Sequence, residues 1–154
     1  MLLVKSISLE RLNKIVFEDI SLSLTAGKIL LLSGKNGSGK TSLLKIILKI
    51  LEPTNGSIYW KGKSIEKVLN DYYYNITYIA DKTSTIRQLT VNQNINIWKK
   101  IFLSNVTQEQ IEDVLEILNL KNYLQTKVSN LSLGEIKKLE LMRLIIENRK
   151  VWIL

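Results

Sequence analysis

No cysteine and no histidine occur in this chain of 154 residues. Their absence excludes disulfides, thiolate chemistry and the usual zinc ligand sets, and it removes every Ser-His or Cys-His nucleophile pair. Long apolar runs are missing too. No stretch approaches the ~18 residues of a membrane span, so any membrane contact has to pass through a partner. Met1 to Leu9 is too short an apolar run, with the wrong flanks, for a signal peptide. Acidic residues are the minority, 14 against 22 basic ones, and the net charge of +8 suits an anionic partner: a nucleotide, a nucleic acid or an acidic surface. The lysines are scattered and not gathered in a stripe, so the charge alone chooses none of these. With 45% hydrophobic and 23% charged residues the chain is too apolar for a disordered one, and its length suits one domain with a sizeable core.

Apolar alternation from Leu3 to Leu9, and again through Phe17, Ile20, Leu22 and Leu24, predicts two half-buried strands joined near Asn13-Lys14. Gly27 then turns the chain into Ile29-Leu30-Leu31-Leu32, whose unbroken apolar character predicts a strand covered on both faces. A helix is expected from Thr41 to Leu51, stopped by Pro53 and Gly56, followed by a strand at Ser57 to Trp60. A short helix is expected at Ile65 to Leu69, an exposed loop over the Asn/Tyr-rich residues 70–75, and a strand at Ile76 to Ile79. Val91, Ile95, Trp98, Ile101 and Phe102 fall at helical spacing, and Thr107 to Gln110 is a capping-box start for the helix that carries Ile111, Val114, Leu115 and Leu118. A last helix spans about Leu133 to Glu147, and Val151 opens another strand. Alternating strands and helices argue for an α/β sheet, with a helical insert at about 86–130.

Gly34-Lys35-Asn36-Gly37-Ser38-Gly39-Lys40-Thr41 matches G-x-x-x-x-G-K-[ST] at every fixed position, after a predicted strand and at the opening of a predicted helix. Each residue type has a physical reason. Glycines let the backbone curl so that successive N–H groups converge on phosphate oxygens at the positive end of a helix. Lys40 supplies a point charge to the β and γ phosphates, and Thr41 offers a hydroxyl to Mg²⁺. Ser38, Asn36 and Gly37 are placed to donate further hydrogen bonds. A nucleotide with Mg²⁺ is therefore the expected ligand.

A phosphate loop alone leaves kinases, GTPases, helicases and transporters open. Leu131-Ser132-Leu133-Gly134-Glu135, followed by the basic, apolar run from Ile136 to Leu144, resembles the L-S-G-G-Q signature loop and helix of ATP-binding-cassette (ABC) proteins. Ser132 and Gly134 match the pattern; Leu133 and Glu135 depart from it. Ser132 and Glu135 also have the spacing of a capping box, which starts a helix with no ligand at all.

The resemblance implies an ABC nucleotide-binding domain over residues 1–154, with a P-loop NTPase-type sheet, an antiparallel β subdomain and the helical insert. It implies head-to-tail pairing of two such chains, or of two ABC subunits, with Ser132 and Gly134 of one meeting the γ-phosphate held by the other. Transmembrane permease subunits are the implied partners, with peripheral attachment at the cytoplasmic face of the inner membrane and no direct nucleic-acid contact. The family's glutamine after the strand at Ile76 aligns near Asp81, with Lys82 as the neighbouring alternative; Asp81 suits a hydrated Mg²⁺. The adenine-stacking aromatic aligns near Arg11, whose guanidinium stacks on a base as well. Ser8-Leu9-Glu10-Arg11, Phe17, Asn36-Gly37 and Leu89-Thr90-Val91 resemble, within the family, the ATP-binding subunits of haem exporters in cytochrome c maturation. In the family the strand starting at Val151 leads to an Asp and a water-activating Glu, with a later His. None of these is in the sequence, so no catalytic residue and a C-terminally incomplete sheet are expected. A fragment or split reading frame, a chain completed by a second polypeptide, and a binding-only or regulatory module, including a soluble nucleic-acid-associated one, all explain that.

Overall fold

The computed structural model describes all 154 residues, which divide into two compact units, Met1–Tyr73 and Tyr74–Leu154.

The first unit is built on a four-stranded antiparallel sheet. Strand β1 (Leu2–Arg11) lies between β2 (Lys14–Leu24) and β3 (Asn55–Trp60), and β3 pairs with the short β4 (Lys63–Ser64). Leu12 and Asn13, with φ of 50° and 58°, form the two-residue β1–β2 turn, the left-handed geometry whose twist suits tight hairpins. Leu2, Val4, Ile7 and Leu9 are buried. Strict alternation would carry Val4, Ser6 and Ser8 on one face. Instead Ser6 takes φ 48° and the pairing slips between Val4 and Ile7, a bulge that returns Ile7 and Leu9 to the core side. Gly56 faces this bulge. A Cβ there would lie 2.5 Å from the Ser6 carbonyl oxygen, so only glycine lets the two backbones approach.

Helix α1 (Lys40–Ile47) buries Leu43, Ile46 and Ile47. It stops earlier than expected, because Leu48 caps it and Lys49 turns left-handed at φ 54°, several residues ahead of Pro53. Residues 70–75 also differ from expectation. Leu69–Tyr74 is helix α2, and Tyr72 is fully buried. Its hydroxyl donates to the Ile47 carbonyl at 2.6 Å and its ring meets Trp60 edge-on at 5.8 Å. The Asn/Tyr composition is turn-like, but one aromatic with a satisfied hydroxyl supplies enough apolar area to anchor the segment.

Ile29 to Leu32, expected as a buried strand, pairs with no strand and belongs to neither sheet. Ile29 is 98% and Leu31 87% exposed. An apolar run gives the propensity for a strand, but a strand persists only through ladder hydrogen bonds to neighbours, and neither sheet of these residues supplies one.

In the second unit β5 (Ile76–Tyr78) runs parallel to β6 (Val151–Ile153). Three helices, α3 (Val91–Ile101), α4 (Gln108–Ile117) and α5 (Leu133–Glu147), gather around Val91, Ile95, Trp98, Ile111, Leu115, Leu139 and Met142. Residues 86–130 hold α3, α4 and two single 3₁₀ turns at Lys121–Tyr123 and Val128–Asn130. Each helix starts with a complete capping box: Thr90 with Gln93, Thr107 with Gln110, and Ser132 with Glu135.

Candidate phosphate-binding site

Helix α1 starts differently from the other three long helices. Gly39 is its N-cap in the left-handed region, with no side-chain cap and no acidic residue in the first turn. The first helical hydrogen bond runs from the Leu43 amide to the Gly39 carbonyl at 2.8 Å. The amides of Lys40, Thr41 and Ser42 therefore point out of the helix end with no intrahelical acceptor. A bare N-terminus of this kind carries about half a positive charge, and an anion satisfies both the charge and the donors.

The loop in front of it curls over this end. Gly34, Gly37 and Gly39 have φ of 155°, 83° and 88°, and the Ser38 amide donates to the Lys35 carbonyl at 3.2 Å to close an internal turn. Space, and not only φ, demands glycine at position 39: a Cβ there would lie 2.7 Å from the Phe17 ring and 2.8 Å from Val16. At position 37 nothing lies within 4 Å, which leaves that side of the loop open. Lys40 folds back, its Nζ donating to the carbonyls of Gly34 at 2.7 Å and Lys35 at 2.9 Å. Two carbonyls hold the ammonium over the loop, so its charge is in place before any ligand arrives.

Lys35, Asn36, Ser38 and Thr41 are exposed around this curl. The Thr41 hydroxyl stands in the first turn of α1. Three or more acidic or histidine side chains are nowhere grouped as a metal cage, so a divalent ion at Thr41 would take its remaining ligands from phosphate oxygens and water. The donors and the open loop fit a triphosphate with its metal. Arg11, in the same unit, is exposed at the end of β1 opposite Lys14.

Ser132, Gly134 and Asp81 lie in the second unit. Ser132 is the N-cap of α5 and Gly134 sits in its first turn. The Ser132 hydroxyl is engaged: it donates to Glu135 Oε2 at 2.8 Å and accepts from the Glu135 amide at 3.3 Å, while the Ser132 amide donates to the same carboxylate at 2.7 Å. The Ser132 side chain, then its amide and the Tyr123 hydroxyl, hold the Glu135 carboxyl below its ordinary pKa; the same contact raises that of Tyr123. Leu133, where the signature pattern has glycine, is 81% exposed. Asp81 is exposed in the loop after β5, and its backbone carbonyl accepts from Lys137 Nζ at 2.9 Å.

The motifs gave no hint of a buried charged cluster further along α5. Glu140 and Glu147 are buried, and Arg143 lies between them. Their spacing of three and four residues along one helix face was the signal; it reads as ordinary surface pairing until burial is known.

Comparison with known proteins agrees with this geometry. The family model described as ABC transporter matches residues 17–154. A cytochrome c biogenesis ATP-binding export protein, CcmA, from Vibrio vulnificus strain YJ016 is 30% identical over the whole chain, which covers 75% of that protein. The CcmA of Reclinomonas americana is 34% identical over 94% of the chain and 65% of its own length. Among solved structures, a putative ABC transporter ATP-binding protein from Pyrococcus furiosus superposes with a TM-score of 0.84 at 27% identity, covering 98% of this chain and 72% of that one. An ATP-binding subunit of an ABC transporter gives a TM-score of 0.80 over 99% of this chain, which spans 64% of that protein's length.

Proposed function

The chain belongs to the ABC transporter family, and from that premise we propose that it is the ATP-binding part of an exporter subunit acting in cytochrome c biogenesis. One observation carries the nucleotide reading: α1 alone among the long helices leaves its N-terminus uncapped, behind a glycine loop with Lys40 already folded over it. The similarity to CcmA proteins from several bacteria and from Reclinomonas supports the exporter class.

Gly34 to Thr41 hold the phosphates in this reading. The free amides of α1 and the loop bind phosphate oxygens, Lys40 exchanges its carbonyl partners for the β and γ oxygens, and Thr41 takes the Mg²⁺. Bound Mg²⁺ neutralises phosphate charge. Asp81 is assigned to the hydration shell of the metal, and Arg11 to the adenine face. Ser132 and Gly134 are assigned to the γ-phosphate of a second ABC chain, which requires Ser132 to loosen its bond with Glu135. Permease subunits and attachment to a membrane through them complete the proposal; no helix of the chain is long and apolar enough to cross a membrane itself.

Calorimetry with MgATP tests the binding step. The parent should release heat of binding, and Lys40→Ala should weaken affinity at least about tenfold, since charge-assisted hydrogen bonds contribute roughly 1.5–3 kcal/mol each. Equal affinity in the two would remove the phosphate loop from the account.

A further inference from the structure

The segment that follows β5 is bound to α5 by side chains instead of by backbone pairing. Lys137 Nζ donates to the carbonyls of Ala80 and Asp81, both at 2.9 Å. One turn further on, the Glu140 carboxylate is 1% exposed. Its Oε1 accepts from the Thr83 hydroxyl and the Ser84 amide, both at 2.5 Å, and from the Thr85 amide at 3.0 Å. The Ser84 hydroxyl bridges both oxygens, at 3.1 and 3.0 Å. Arg143 faces Glu140 Oε2 at 3.3 Å and holds Glu147 at 2.7 Å, and Thr77 of β5 donates to the other oxygen of Glu147 at 2.8 Å.

A buried carboxylate requires compensation, and this one is compensated by amides and hydroxyls of three successive residues of a single loop. That is costly chemistry for a helix face that alanine or leucine would fill. A buried apolar side chain holds a loop by area and tolerates sliding; a carboxylate with directed donors fixes one register. The loop so fixed carries Asp81, and the helix that fixes it starts at Ser132.

We propose that Glu140 is a positioning residue: it clamps residues 83–85 and, with Lys137 and Arg143, makes the Asp81 segment and the signature helix α5 move as one body. The functional part of this rests on the assignment of Asp81 to the metal and Ser132 to phosphate given above. Any shift of α5 at its phosphate-facing end is then transmitted to Asp81 without slack.

Amide exchange and calorimetry on the full chain test it together. In Glu140→Ala the Ser84 and Thr85 amides should exchange about tenfold faster or more, while Leu139 and Met142 amides within α5 keep their parent rates. Glu140→Gln retains one carbonyl oxygen toward those amides and should restore part of the protection. Should Glu140→Ala open α5 as well, Glu140→Gln and Ser84→Ala carry the comparison, each loosening residues 84 and 85 before the helix. In the same variants the Mg²⁺ concentration needed for tight ATP binding should rise by about tenfold, the usual scale for loss of an outer partner, with metal-free ATP affinity unchanged. Parent-like exchange at Ser84 and Thr85 overturns the clamp, and an equal loss of metal-free and Mg²⁺-dependent affinity overturns the positioning role. A parent that binds no MgATP removes the nucleotide reading and the positioning role with it, and the exchange result still decides the clamp.

Discussion

Gly39 and Gly37 differ by two residues and only a few degrees, with φ of 88° and 83°, yet alanine should be tolerated far better at one than at the other. A non-glycine residue in this region costs about 1–2 kcal/mol of backbone energy, and that part is common to both. At position 37 it is the whole effect, because no atom lies within 4 Å of the added methyl. At position 39 the methyl would sit 2.7 Å from Phe17 and 2.8 Å from Val16, contacts that force side chains or backbone aside for a further cost of about 1–3 kcal/mol. Both neighbours are half-buried in β2 and can yield in part, so Gly39→Ala should lose about 2–4 kcal/mol against about 1–2 for Gly37→Ala. Urea unfolding followed through the methyl signals of Ile7 and Ile58, both in the core of the first unit, would measure this, with an unchanged m-value as the check that only stability moved. Equal losses in the two variants would refute the packing argument and leave backbone conformation as the only reason for glycine.

Ser132→Ala removes a complete capping box from α5 and should lower stability by about 1 kcal/mol, read from amide exchange in the first turn, while ATP affinity of the single chain stays at the parent value; a changed affinity contradicts the assignment of Ser132 to a second chain's nucleotide. The Glu135 carboxyl is held below its ordinary pKa in the folded state, so its contribution is complete above about pH 4.3 and is lost as pH falls through the folded value. Glu135→Gln should flatten the acid limb of α5 stability, followed by helical circular dichroism from about pH 6 to pH 3, and identical limbs in parent and variant would exclude the box as its origin. Tyr72→Phe strips the buried Ile47 carbonyl of its 2.6 Å donor and should cost about 1–3 kcal/mol in thermal unfolding of the first unit; a neutral result would mean that water replaces the hydroxyl.

Local chemistry was legible from residue order alone. The curl of Gly34 to Thr41 into an uncapped helix start follows from glycine spacing within eight successive residues, and the boxes at Thr107 and Ser132 likewise depend on a spacing of three. The half-buried alternation from Phe17 to Leu24 also survives, since strand period is a property of the backbone. Sheet membership is not local, and there the sequence misleads. Ile29 to Leu32 have every property of a covered strand, yet coverage depends on neighbours that the run itself cannot supply. The same holds for Tyr72, whose burial depends on Trp60 and Ile47, and for Glu140, whose charge reads as solvent-facing until residues 83–85 fold onto it. The glycine curl before α1 was thus determined by the chain's own order, and the carboxylate clamp by tertiary structure, because a buried charge is defined only by what the fold brings to it.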